Sequence, residues 1–135
     1  MKIVLAFLAL AVISAQGATL TDAQKEKLLE FHRECKESSG VEQIVIDDAK
    51  AGKYANDPKI KAHLFCVSKK IGLQNEAGEI QKDVMMAKLS ALLNDQEIAK
   101  KMVELCAKPD STPEETSYSV LKCYYQNTPD HVSLI

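Results

Sequence analysis

Four cysteines, Cys35, Cys66, Cys106 and Cys123, constrain this 135-residue chain more than any other feature. In an exported chain of this size an even count reads as two disulfides, for which three pairings exist. A zinc site would draw on the same side chains, but its ligands normally come in close pairs. No CxxC occurs here, and the histidines are His32, His63 and His131. No metal and no other cofactor is therefore expected.

Export is read from the first residues. Lys2 precedes an apolar run from Ile3 to Ile13, and the small residues Ser14, Ala15, Gly17 and Ala18 follow. This is the pattern of a secretory signal peptide over residues 1–18, cut between Ala15 and Ala18. The run is well short of the ~20 residues that a membrane span needs. The expected product is one extracellular domain, residues 19–135, long enough for a single core. Of 17 Lys and Arg residues, Lys2 leaves with the leader, so 16 face 19 Asp and Glu. That mildly acidic balance has no long run of either sign. It argues against nucleic acid or a polyanionic membrane surface as partner, since both require a basic face.

The rest of the pattern is helical. Apolar residues recur at three- and four-residue spacing, and Gly and Pro fall only between periodic segments. Thr21 with Gln24 opens a first helix as a capping box, with Leu28, Phe31, His32 and Cys35 inward. Ser38, Ser39 and Gly40 end it. Val41, Ile44, Val45 and Ala49 mark a short second helix closed by Gly52. Asp57-Pro58 starts a third with a side-chain cap and a proline at the first position. Its stripe is Ile60, Leu64, Val67 and Ile71, and Gly72 stops it. After a turn at Asn75–Gly78, Val84, Met85, Met86, Leu89, Leu92 and Leu93 build a fourth. Asn94 with Glu97 is expected to cap a fifth, with Ile98, Met102, Leu105 and Cys106 inward and Lys108 in its last turn.

The final long segment organises the others. Thr112 supplies a cap, Pro113 a first helical residue, and Glu115 the second half of a capping box. Tyr118, Val120, Leu121, Cys123, Tyr124 and Tyr125 then leave little polar surface, so this helix should be mostly buried. Cys106 and Cys123 flank a short linker with Pro109 and Asp110, within reach of a bridge.

These features together resemble the insect odorant-binding proteins, in the four-cysteine group called minus-C. Six-cysteine members have three residues between their second and third cysteines and eight between their fifth and sixth. Counting back from Cys66 and Cys123 puts the two absent cysteines at Ala62 and Glu114. In the family those two bond to each other, and losing both together is the minus-C pattern. The Ile71-Gly72-Leu73 helix exit, the Asn75-Glu76-Ala77-Gly78 turn and Glu115-Thr116-Ser117-Tyr118 leading into Lys122-Cys123-Tyr124 are further echoes. The likeness spans essentially the whole mature chain.

The resemblance implies an all-α fold of six helices around an internal apolar pocket, with bridges Cys35–Cys66 and Cys106–Cys123. Without the middle bridge, the third and sixth helices are held by packing, which softens the cavity. The resemblance also implies a carrier of small hydrophobic molecules, such as odorants, pheromones or lipid-like ligands, rather than an enzyme. It would work in sensillum lymph, haemolymph or gland fluid, as a monomer or weak homodimer, with a chemosensory receptor as a further partner. Carried over by cysteine register, the pocket lining is Leu28, Leu64, Ser68, Leu73, Met86, Leu89, Val103, Val120, Leu121 and Tyr124. Ser68 and the Tyr124 hydroxyl are the expected polar contacts. Ile135 belongs to the lining through the tail, where Val132, Leu134 and Ile135 would form a lid over the mouth. Protonation of His131 would loosen that lid in acid.

Other classes lack their motifs. A phospholipase needs a His-Asp pair on a helix and a calcium loop, but Arg33 follows His32 and Leu64 follows His63. Neither GxSxG nor HExxH occurs. His32 and His63 read as partly buried helix residues. The remaining rival is a secreted helical signalling or inhibitor protein, which would show a large exposed apolar patch instead of a cavity.

Overall fold

The computed structural model describes residues 21–131. The signal peptide and the residues Val132, Leu134 and Ile135 assigned to a lid lie outside this range. Six helices follow one another: α1 (Asp22–Ser39), α2 (Gln43–Lys50), α3 (Pro58–Ile71), α4 (Lys82–Leu93), α5 (Gln96–Cys106) and α6 (Pro113–Asn127). Among the described residues no strand forms, and Gln74 and Ile80 make an isolated antiparallel bridge.

Local chemistry sets most helix ends. Thr21 and Gln24 form the reciprocal capping box that opens α1. Asp57 accepts from the Lys59 amide ahead of Pro58, and Gly72 closes α3 with the left-handed backbone that glycine adopts without strain. Two caps differ from expectation. Asp95, not Asn94, opens α5, accepting from the Glu97 and Ile98 amides, while Asn94 takes a left-handed turn that ends α4. At α6, Thr112 accepts from the Glu115 amide. The Glu115 carboxylate does not return to the cap, because it pairs with Lys61 of α3 at 2.7 Å. Lys108 lies past the end of α5.

The helices pack in a spatial order unlike their order in the chain. α3 lies between α1 and α6, α6 continues to α5, and α5 to α4. The last helix is thus one of three shared elements, α3 and α5 being the others. The bridges Cys35–Cys66 and Cys106–Cys123 fasten α1 to α3 and α5 to α6, with Cα separations of 5.6 and 5.5 Å. Contact between α3 and α6 is noncovalent. Their junction is polar at one end, where buried Gln74 donates to the Gly78 and Pro113 carbonyls and accepts from the Ser117 hydroxyl. Further along, the Tyr118 hydroxyl donates to the Tyr54 carbonyl and Lys61 lies over the Tyr118 ring.

A continuous apolar core runs through these layers, with Ile46, Ala49, Ile60, Leu64, Val67, Leu73, Met85, Leu89, Val120, Leu121 and Tyr124 buried. Ile44 and Leu105, expected to face inward, are exposed, as is Leu29. Ile46 takes the inward place in α2, and Ala99 and Cys106 take it in α5.

Candidate functional site

The site begins with three side chains of α6. Val120, Leu121 and Tyr124 lie at three- and four-residue spacing, so they share one face and are buried together. Facing them are Leu64 of α3, Leu89 of α4 and Leu73 from the α3–α4 connection, all fully buried in the same cluster. Leu28 of α1, Met86 of α4 and Val103 of α5 are partly buried and pack against it. Ser68, one turn beyond Leu64, is buried as well. Every expected lining residue within the described range therefore belongs to, or borders, one apolar interior reached by five helices. Ile135 lies outside that range.

Polar groups inside this interior are few. The Tyr124 hydroxyl donates to the Met85 sulfur at 3.2 Å. A thioether is a weak acceptor, so this phenol is poorly matched compared with an ordinary hydrogen bond. Burial pushes its pKa above the usual phenol range, which leaves it protonated and able to donate. Hydrocarbon with an occasional weakly engaged hydroxyl suits an apolar molecule carrying one polar atom.

A second polar element is not apparent from the sequence. His32 of α1 and His63 of α3 are both buried, and His32 Nδ1 and His63 Nε2 lie 2.9 Å apart in a hydrogen bond between the rings. The outer nitrogens, His32 Nε2 and His63 Nδ1, are buried without a hydrogen-bond partner. Burial is the main cause lowering the His32 pKa to about 4, helped by the Lys50 ammonium and by His63. His63 is also lowered, by burial and then Lys50, although the nearby Cys35 carbonyl favours its protonated form. Both rings are neutral near pH 7. The sequence offers a clue only once a bridge is assumed. Each histidine stands three residues before a cysteine of Cys35–Cys66, so joining the sulfurs brings the rings together one turn away.

Elsewhere the chemistry is sparse. Among the described residues no cluster of three or more His, Cys, Asp or Glu side chains could hold a metal ion. An open cleft of about 230 Å³ lies at the start of α6, bordered by Gly78, Glu79, Pro109, Asp110, Thr112 and Pro113 among others. It is mixed in polarity, faces solvent and includes none of the expected lining residues. No described helix is long and apolar enough to cross a membrane.

Comparison with known proteins agrees with this architecture. The chain is 38% identical over 111 residues to the B1 protein of Tenebrio molitor, covering 82% of this chain and 85% of that one. Its fold is similar to that of the THP12 carrier protein from yellow meal worm, with a TM-score of 0.60, 30% identity and coverage of 70% of this chain and 88% of that one. It is also similar to a fatty acid binding protein, OBP56a, from the oral disk of the blowfly Phormia regina, with a TM-score of 0.65 and 25% identity. That match covers 80% of this chain and 94% of the blowfly chain. Six helices, two bridges and a family model matching residues 17–127 lead to one conclusion: the chain belongs to the PBP/GOBP family.

Proposed function

We propose that the protein is an extracellular carrier that takes up small hydrophobic molecules between its helices and moves them through aqueous fluid. The observation that carries this reading is the convergence of Leu64, Leu73, Leu89, Val120, Leu121 and Tyr124 from separate elements onto one apolar cluster. Membership of the PBP/GOBP family and likeness to solved carrier proteins support it.

The energetics are compatible with reversible transport. A ligand burying about a dozen carbons gains ~0.8 kcal/mol for each, or ~10 kcal/mol in all. Lost translational and rotational freedom costs at least ~4 kcal/mol. About 6 kcal/mol remains, a dissociation constant of tens of micromolar, and one good hydrogen bond brings it to a few micromolar. A carrier that must release its cargo operates in that range.

The same proposal includes the tail. In it Val132, Leu134 and Ile135, which lie outside the described residues, would serve as a lid following His131. The His131 ring stacks on Tyr125 and its Nδ1 lies 2.9 Å from the Tyr125 carbonyl, so the last described residue is held against the end of α6. Secretion through residues 1–18 supplies the compartment. No catalytic step forms part of this reading.

Fluorescence of N-phenyl-1-naphthylamine tests the proposal. Saturable enhancement at one site per chain is expected, with weaker uptake after deletion of Val132 to Ile135. Absence of saturable enhancement in the intact folded protein contradicts the carrier reading.

A further inference from the structure

The His32–His63 pair sits in a wall of hydrocarbon. His32 is one turn from Leu28 on the inner face of α1, and His63 lies beside Leu64, between Ile60 and Val67 on α3. Two apolar side chains would fill this contact without any buried nitrogen left over. Each unpartnered nitrogen carries a desolvation cost that a satisfied one does not. A pair that serves packing alone is poorly explained by that cost.

The direction of the hydrogen bond follows from the neighbours. The Cys35 backbone carbonyl acts on the His63 ring in the direction that favours a proton there, although no hydrogen bond of ordinary geometry forms. With His63 Nε2 engaged by His32, the nitrogen that can hold this proton is Nδ1. A neutral His63 protonated at Nδ1 has a bare Nε2, which must accept from His32 Nδ1–H. His32 is then also neutral with its proton on Nδ1, and its Nε2 carries an unshared pair. The relay runs from His32 through His63 toward Cys35. It ends, inside the protein, in an acceptor with no donor.

We propose that His32 Nε2 receives the hydroxyl of an amphiphilic ligand, so that the carrier selects hydrophobic alcohols over ethers and hydrocarbons of the same shape. This rests on the carrier reading and specifies its ligand class. A permanently bound water is a weaker occupant, because buried water normally has two to four polar partners. Among the described residues, the other unpartnered buried side-chain nitrogen or oxygen is His63 Nδ1, on the side of that ring away from the pair. A carboxylate is also disfavoured. It would need a proton on His32 Nε2, which reverses the relay and turns a bare His63 Nδ1 toward the Cys35 carbonyl.

The test uses the mature secreted chain and competition of 1-decanol and its methyl ether against N-phenyl-1-naphthylamine. One neutral hydrogen bond of about 1 kcal/mol predicts that the alcohol competes about 5-fold better than the ether. In His32→Phe that ratio falls to about one, whatever the absolute affinities become. A ratio near one in the wild-type protein overturns the proposal while leaving the carrier reading intact. Failure of the wild-type protein to take up the probe at all overturns both. Should His32→Phe not fold, the imidazole nitrogens of the wild-type protein are read by long-range ¹⁵N–¹H NMR. His32 Nε2 is expected to be unprotonated, and its resonance to move on adding 1-decanol but not the ether. An unmoved resonance with alcohol bound, or equal movement with both ligands as displacement of a resident water would give, refutes the assignment.

Discussion

Lys61 of α3 and Glu115 of α6 form an ion pair 2.7 Å long, one residue before Ala62 and one after Glu114. Those neighbours are the positions where cysteine spacing places the middle bridge of six-cysteine members. A polar contact thus occupies the place where a covalent one is missing. Both side chains are substantially buried, and Lys61 also lies over the Tyr118 ring and reaches Asn56. The α3–α6 seam is tied, but reversibly.

A double-mutant cycle on Lys61→Ala and Glu115→Ala is expected to show a coupling of about 0.5–1 kcal/mol, declining as salt is raised. Urea unfolding at low and high ionic strength reads it. Additive effects of the two substitutions would mean that the pair contributes nothing.

Gln74 should matter more. Its amide satisfies two carbonyls and the Ser117 hydroxyl in a buried setting. Gln74→Leu fits the volume but removes all three bonds, leaving Ser117 and Pro113 only their contact with each other, and about 2–4 kcal/mol of stability should be lost. Thermal unfolding checks this, with Gln126→Leu as the exposed comparison.

Gly52 makes a backbone prediction. Its φ is +88°, and a Cβ there would collide with the Tyr125 ring. Gly52→Ala therefore meets both unfavourable backbone geometry and a clash, costing about 1–3 kcal/mol. Gly40, also left-handed but with open space around it, should cost less on the same substitution.

Acid should weaken the fold through the histidine pair. The native His32 pKa, lowered to about 4, lies below the unfolded value near 6.5. Its neutral form is the one the native state holds, so the associated stability is complete above pH 6.5 and disappears as pH falls toward 4. His63 shifts the same way, and the charged group facing both is Lys50. A loss of about 1–3 kcal/mol is expected over this window. Its upper part, from pH 6.5 to 5, identifies the histidines, because the lowered carboxylates of Glu34 and Asp110 act at more acidic pH. Stability constant between pH 6.5 and 5 would contradict this.

The fold was legible where one segment carries its own instructions. Thr21 with Gln24, Asp57-Pro58 and the left-handed Gly72 determine helix ends from residues a few positions apart. Cysteine spacing, read through the family resemblance, indicated both bridges. The errors arose where a choice depends on a distant partner. Glu115 could close its own cap or pair with Lys61, which is 54 positions away, and the ion pair prevails. Asn94 and Asp95 can both cap, and only the turn between α4 and α5 decides between them. Periodicity also left the inward faces of α2 and α5 ambiguous, because four-residue spacing fits Ile44 as well as its neighbours.

For the candidate site, cysteine register read through the resemblance picked out Leu64, Leu73, Leu89, Val120, Leu121 and Tyr124, which are buried in one cluster. The Tyr124–Met85 contact and the His32–His63 pair were not legible, since each joins residues from separate helices. Polar pairing across helices depends on where backbones cross, which apolar periodicity does not specify.

The central claim is that a ligand enters the interior rather than adhering to the surface. Methyl-resolved NMR of the protein titrated with 1-decanol tests it most directly. Shifts should concentrate on the methyl groups of Leu64, Leu73, Leu89, Val120 and Leu121 and saturate at one ligand per chain. Shifts confined to the exposed Leu29, Ile44 and Leu105, or unsaturable ones spread over the chain, would contradict the account.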